Sequence, residues 1–245
     1  MIRERYPPAF SAAVTAASAV IGAIIPPSTV AIIVGGQLQI SIGGLFAGGI
    51  IPGILIGLAL MITAGIISAR RGYGDVHAFQ GIIPVARGSA KAAPALLIPV
   101  IILGGILGGI FTPTEAGAIA VLYTLIIGTF YYRTLNMRKL IDAMTGTAKV
   151  TASALVIVST AIVFSRILTY FRIPQEILEL LIAVSDNRVI MALILIGFFL
   201  LMGTFMDALA NMIILGPLLM PVAIAETGLG MTEIQYGLFL MISLL

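Results

Sequence analysis

Apolar residues run through this chain in long uncharged blocks separated by short polar stretches, the pattern of repeated bilayer crossings. The first block is Ala9 to Gly36, and the polar turn Gln37–Ser41 closes it. The second is roughly Gly43 to Ala69, where Pro52 is expected to kink the helix or mark its start. Arg70 to Ala92 is too polar to cross and has room for a short surface helix. A third crossing is predicted over Ala93–Ile110 and a fourth over Glu115–Tyr132. Phe111-Thr112-Pro113-Thr114-Glu115 joins them, with Thr112 or Thr114 as helix cap and with Pro113 and Glu115 suited to a first turn. Arg133 to Lys149 is the next polar stretch, and the fifth crossing is about Val150 to Tyr170. Ile173, Ile177, Leu180, Leu181 and Val184 share one helical face, which predicts an amphipathic surface helix within Arg172–Arg188. Val189 to Ala225 follows with a single charge, Asp207, and a last apolar segment begins near Ile234.

The first block cannot be one unbroken helix. Pro26 and Pro27 remove two backbone donors, and each disfavours helix in the residue before it. A break at mid-membrane leaves backbone groups that are tolerated only where they face protein, water or an ion. Broken helices of this kind build substrate and ion sites in secondary transporters. A proline-kinked helix packed in a bundle is the competing reading, and on this stretch alone the two stand level.

Composition narrows the class. The 245 residues are 60% hydrophobic and only 9% charged, with a mean hydropathy of +1.18. An ordinary soluble domain carries about 25% charge, so the chain is an all-α polytopic membrane protein. Its formal net charge of +3 reflects cytoplasmic loops rather than nucleic-acid binding. There is no Cys, and the single His, His77, lies in a polar loop; thiol chemistry and a His or Cys metal cluster are excluded. The opening, Met1 to Pro8, lacks the apolar core of a signal peptide. The end, Leu238 to Leu245, falls inside an apolar run, which is expected of a fragment.

Loop charge predicts orientation. Arg70–Ala92 and Arg133–Lys149 carry four Lys or Arg each and are separated by two crossings, so both belong on the cytoplasmic side. The Thr112–Glu115 turn, the Arg172–Arg188 helix and Glu226–Glu233 are then external. By that parity Val189–Ala225 enters and leaves on the same side, as a re-entrant hairpin interrupted at Gly203-Thr204-Phe205-Met206-Asp207. Two short full crossings satisfy the same length; the clustering of Thr204, Asp207 and Asn211 at the turn favours the hairpin.

Few residues carry chemistry. Asp207 is the one acid inside an apolar block away from its ends. A carboxylate there costs on the order of 3 kcal/mol and marks an ion or substrate path, or caps the second arm of a hairpin; the roles are compatible. Thr204 and Asn211 beside it are candidate ligands or ordinary interhelical hydrogen bonders. Glu115 reads as a first-turn charge on a helix dipole. Arg166, near the end of the fifth crossing, either snorkels to the outer interface or meets an anionic substrate. The 11 Met residues read as core filler. Gly104-Gly105 and Gly108-Gly109 are expected inside an apolar helix as small-residue packing, since no Lys follows to make a phosphate loop. No nucleophile–base pair is visible.

Three stretches together carry a family resemblance. Gly108 to Ala116 resembles the "GiFTPTEA" signature of the large membrane subunit of tripartite ATP-independent periplasmic (TRAP) transporters, the DctM-like family. Thr15-Ala16-Ala17-Ser18 through Ser28 resembles that family's "TAASSxIGPIIPPS", with Ala19 at a usual Ser and Ala23 at a usual Pro. Gly203 to Ala208, with Gly216 to Pro221, resembles its second hairpin.

The resemblance implies an inverted-repeat, elevator-type transporter, each repeat holding a re-entrant hairpin and a broken helix. It implies Na⁺-coupled symport of an organic acid such as a C4-dicarboxylate or sialic acid. A periplasmic substrate-binding protein (DctP-like) would deliver it, beside a small membrane subunit (DctQ-like), in the bacterial inner membrane. Residues 1–69 would end the first repeat, 70–92 would be a cytoplasmic connection, and 93–245 would be a truncated second repeat. The first hairpin would precede Met1 and the second broken helix would follow Leu245. Ion and substrate contacts are then expected from Ser18, Gly22, Ile25 and Ser28 at the break and from Gly203, Thr204, Asp207 and Asn211 at the hairpin. Na⁺ would lie at Gly22 and Ser28 and at Gly203 and Asp207, and no other cofactor is implied. Half-helix ends offer partial positive charge to carboxylates and carbonyls to Na⁺. The alternatives are a carboxylate symporter that needs no binding protein, a nonfunctional permease fragment, and an intramembrane enzyme bringing Asp207 and Glu115 together.

Overall fold

The structure, a computed structural model, describes residues 1, 4–74, 82–185 and 187–245. Asp75, His77 and Asp186 lie outside the described residues, as do the side chains of Arg87 and Lys91. Ten α-helices are present among the described residues: α1 Pro8–Ile24, α2 Thr29–Leu38, α3 Ile42–Arg71, α4 Ile82–Leu107, α5 Pro113–Ile126, α6 Met137–Tyr170, α7 Ile173–Val184, α8 Arg188–Phe205, α9 Ala208–Ile224 and α10 Glu233–Leu244. A π-helical turn, Ile127–Tyr131, continues α5. Two compact units are formed, Met1–Pro27 with Gly49–Leu135, and Ser28–Gly48 with Asn136–Leu245.

The chain is a polytopic membrane protein. Among the described residues, four helices (α3, α5 with its π turn, α6 and α8) are long and apolar enough to cross a bilayer, and α1 with α2 makes a fifth if counted as one span. Only 6–17% of the most apolar stretch of each of the four is buried inside the chain. Their apolar side chains therefore face outward, as hydrocarbon rather than water requires.

In the first unit, α1 lies against α3 at small residues. Ile25 packs on Gly53 where any side chain would collide, and Ile21 reaches Gly57. Phe10 stacks on Tyr6 and meets Tyr73, with ring centroids 6.1 and 5.3 Å apart, which ties the start of α1 to the end of α3. α3 runs through Pro52 as one continuous 30-residue helix.

The joint between α4 and α5 corrects one expectation. Gly108 and Gly109 are not helical packing residues: α4 stops at Leu107 in a Schellman turn. Ile110 N–H donates to Gly105 O and Gly109 N–H to Ile106 O, with Gly109 at φ +67°. Phe111 folds back over Gly105. Thr112 then opens α5 with a reciprocal capping box: Glu115 N–H donates to Thr112 Oγ1 at 3.3 Å, and Glu115 Oε2 accepts from Thr112 N–H at 2.8 Å. The signature stretch is thus a helix stop joined to a helix start. Tyr123 Oη fastens the pair by donating to Pro94 O at 2.9 Å.

In the second unit α9 is central. Nine of its 17 residues are buried, and it packs against α6, α10, α2 and α7. Gly216 makes this possible, because an added Cβ would lie 3.0 Å from Leu240 and 3.3 Å from Leu38. Tyr236 on α10 is fully buried, and its hydroxyl donates to Gly216 O at 2.8 Å. The first turns of α3 join this unit, with Leu45 and Phe46 in its core. Two polar stretches prove more helical than expected. α6 begins at Met137, capped by Asn136, whose side chain accepts from Lys139 N–H at 2.9 Å. α4 is already helical from Ile82. Charge keeps a segment out of hydrocarbon but does not oppose helix, because Lys, Arg, Met and Ala are all good helix formers. α7 is the amphipathic helix predicted: Leu181 is buried, whereas Leu180 and Val184 of the same stripe are 68% exposed.

Candidate functional site

The break in the first apolar block falls at residues 25–28. α1 ends at Ile24, Ile25 takes an extended conformation (φ −72°, ψ 126°), and the Pro26-Pro27 peptide bond is cis. Pro26 has no N–H, so the Gly22 carbonyl loses the donor that a continuous helix would give it. Gly22 is exposed with open space where a side chain would project. Ser18, on the same face of α1, donates to Thr15 O at 3.0 Å and lines an apolar groove of about 310 Å³ against α3. These three residues belong to the first unit and Ser28 to the second. Ser28 is 1% exposed and caps α2, its Oγ accepting from Ala31 N–H at 3.1 Å.

The second cluster is the turn between α8 and α9. Met206 and Asp207 are extended residues between two helices of 18 and 17 residues. At 1.5 Å per residue each arm is about 26 Å long, at the lower end of what a crossing of the roughly 30 Å hydrocarbon core needs. Asp207 is the N-cap of α9, and its Oδ2 accepts from Leu209 N–H at 3.0 Å. Gly203, Thr204 and Asp207 are exposed at the tip. Thr204 Oγ1 is turned back onto Leu201 O at 2.6 Å.

Asn211, one turn further in, is different. It is 0% exposed; its Nδ2 reaches Met206 O only at 3.4 Å, and its Oδ1 has no partner. A buried carbonyl oxygen without a donor costs about 1–3 kcal/mol, so it is a preformed acceptor waiting for a cation or a donor. The tip therefore holds one carboxylate, one orphan amide oxygen and the end of a helix within a single turn of chain.

Glu115 is occupied by Thr112, at the cap of α5 in the first unit, and Asp207 by Leu209, in the second. Arg166 lies on the exposed side of α6 and lines a groove with Val163, Ile167, Tyr170 and Phe171. One contact escaped the sequence reading. Arg188, at the start of α8, donates to Glu226 O at 3.3 Å, just beyond the end of α9, and its guanidinium also covers Gly230. No pattern could announce it, because the acceptor is a backbone carbonyl 38 positions away.

A proline-broken helix and a polar turn between two apolar helices, in an all-α polytopic membrane protein, are features that transport proteins share. The family model for the tripartite ATP-independent periplasmic transporter, DctM component, matches residues 1–245, and the chain belongs to that family of TRAP transporter large permeases. It is 37% identical over 244 residues to the isethionate TRAP transporter permease protein DctMQ of Oleidesulfovibrio alaskensis, covering 100% of this chain and 38% of the relative. It is 36% identical to the sialic acid TRAP transporter large permease protein SiaM of Vibrio cholerae, covering 98% of this chain and 56% of the relative. It is 32% identical to the C4-dicarboxylate TRAP transporter large permease protein DctM of Pseudomonas aeruginosa, covering 100% of this chain and 56% of the relative. The chain thus spans about half or less of the length of these curated relatives, all of them transport permeases.

Proposed function

We propose that the chain forms part of the substrate-translocating subunit of a Na⁺-coupled importer of small organic anions in the bacterial inner membrane. Isethionate, sialic acid and C4-dicarboxylates, named for the relatives, share an anionic group on a small polar body, and that shared chemistry is the substrate class. A small membrane subunit and a periplasmic binding protein complete the system. The 1–69 and 93–245 stretches are assigned to two repeats related by inversion, with α8 and α9 as the re-entrant hairpin of the second.

The observation that carries this reading is Asn211. An orphaned amide oxygen, fully buried one turn from Asp207, is a hard donor of the kind Na⁺ takes. In this reading Asp207 supplies charge, while Gly203 and Thr204 supply oxygens as the tip rearranges. At the other break, the Gly22 carbonyl, with Ser18 and Ile25, supplies a second set.

A melting experiment tests it without knowledge of the substrate. The purified full chain in detergent is heated in NaCl, KCl and choline chloride at equal ionic strength. Na⁺ at a hundred times its dissociation constant should stabilise the fold by about 2.7 kcal/mol. Asn211→Ala and Asp207→Asn should each remove most of the difference between NaCl and KCl. Equal melting in the three salts would refute Na⁺ binding at this tip.

A further inference from the structure

Between Val150 and Tyr170 the only ionisable residue is Arg166. It sits one helical turn, about 6 Å, below Tyr170 at the end of α6. It makes no hydrogen bond or ion pair with any described residue. Its side chain instead borders a groove of about 350 Å³ whose other walls are Val163, Ile167, Tyr170 and Phe171. Tyr170 and Phe171 are 83% and 63% exposed, with perpendicular rings 5.6 Å apart. Aromatic residues of this kind mark the membrane–water boundary.

An unpaired guanidinium above an apolar groove, at the depth where a span meets the interface, has the chemistry of a phospholipid in reverse. The guanidinium matches a phosphate, which it can grip with two parallel hydrogen bonds. The groove below it matches an acyl chain. A small carboxylate substrate would leave these walls unmatched. We propose that Arg166, with Val163, Ile167, Tyr170 and Phe171, forms a binding site for one anionic phospholipid on the outer end of α6.

Native mass spectrometry of the full chain in detergent tests this with dioleoyl phosphatidylglycerol as probe. Dioleoyl glycerol, which has the same chains and no phosphate, and succinate, a free dianion, are the comparison ligands. One phosphatidylglycerol should remain bound to the wild-type chain. Arg166→Gln should weaken it about ten-fold, Arg166→Lys should restore part of the loss, and Arg138→Gln at the far end of α6 should change nothing. Dioleoyl glycerol should bind weakly and equally to wild type and Arg166→Gln. Equal phosphatidylglycerol affinity in wild type and Arg166→Gln would overturn the site. Competition by millimolar succinate, lost in Arg166→Gln, would overturn it in favour of a substrate contact. The readout involves no Na⁺ and no residue of the hairpin tip, so its failure is separate from failure of the transport reading.

Discussion

Asp207 holds the first turn of α9 through Leu209 N–H at 3.0 Å while presenting a charge at an exposed tip. The two contributions separate by substitution. Asn caps a helix about as well as Asp, whereas Ala forfeits about 1 kcal/mol. Asp207→Ala should therefore lower the melting temperature measurably in any salt, whereas Asp207→Asn should leave it unchanged in KCl and lose only the response to NaCl. Equal losses for both variants in KCl would give the charge itself a structural role. The position of Asp207 was legible in the sequence because an acid in an apolar block has few uses. That Asn211 rather than Thr204 has the orphan oxygen was not legible. Both are polar residues near one turn, and only burial separates an engaged hydroxyl from an amide with nothing to accept.

At the scale of elements, the proline break, the interruption between α8 and α9 and the amphipathic α7 followed from spacing and from residues that cannot continue a helix. The starts of α4 and α6 lie further into the charged stretches than the apolar pattern indicates, and Gly108-Gly109 ends a helix instead of packing inside one. Two adjacent glycines at the end of an apolar run fit both close helix packing and a left-handed stop; the Phe-Thr-Pro-Thr-Glu that follows decides for the stop. The family signature has a mechanical sense here: it ends α4 and begins α5 with the N–H groups of Gly108 to Thr112, Glu115 and Ala116 all donating. Thr112→Val removes the hydroxyl that accepts from Glu115 N–H and donates to Glu115 Oε2. It should cost about 1 kcal/mol and fray the start of α5, seen as faster amide exchange at residues 113–116. Unchanged exchange there would mean that the Schellman turn alone fixes the joint.

For the whole molecule, loop charge predicts an external Thr112 turn and an external Glu226–Glu233 loop. The absence of cysteine makes the test clean. Single cysteines at Thr112 and Thr227, both exposed, should react in intact cells with a membrane-impermeant maleimide. Reaction at Thr227 only after the membrane is opened would mean that α8 and α9 together cross once, and would sink the hairpin. The hairpin also has two unlike arms. α9 is enclosed by four other helices, whereas α8 has 17% of its most apolar stretch buried and shows the rest to hydrocarbon. α8 packs on α10 and α9 and turns most of its apolar side chains outward. A change in bilayer thickness, whose mismatch costs a fraction of a kcal/mol per Å, bears more directly on α8 than on the enclosed α9. Met206-Asp207, the extended link between the two helices, is where such a difference would be taken up.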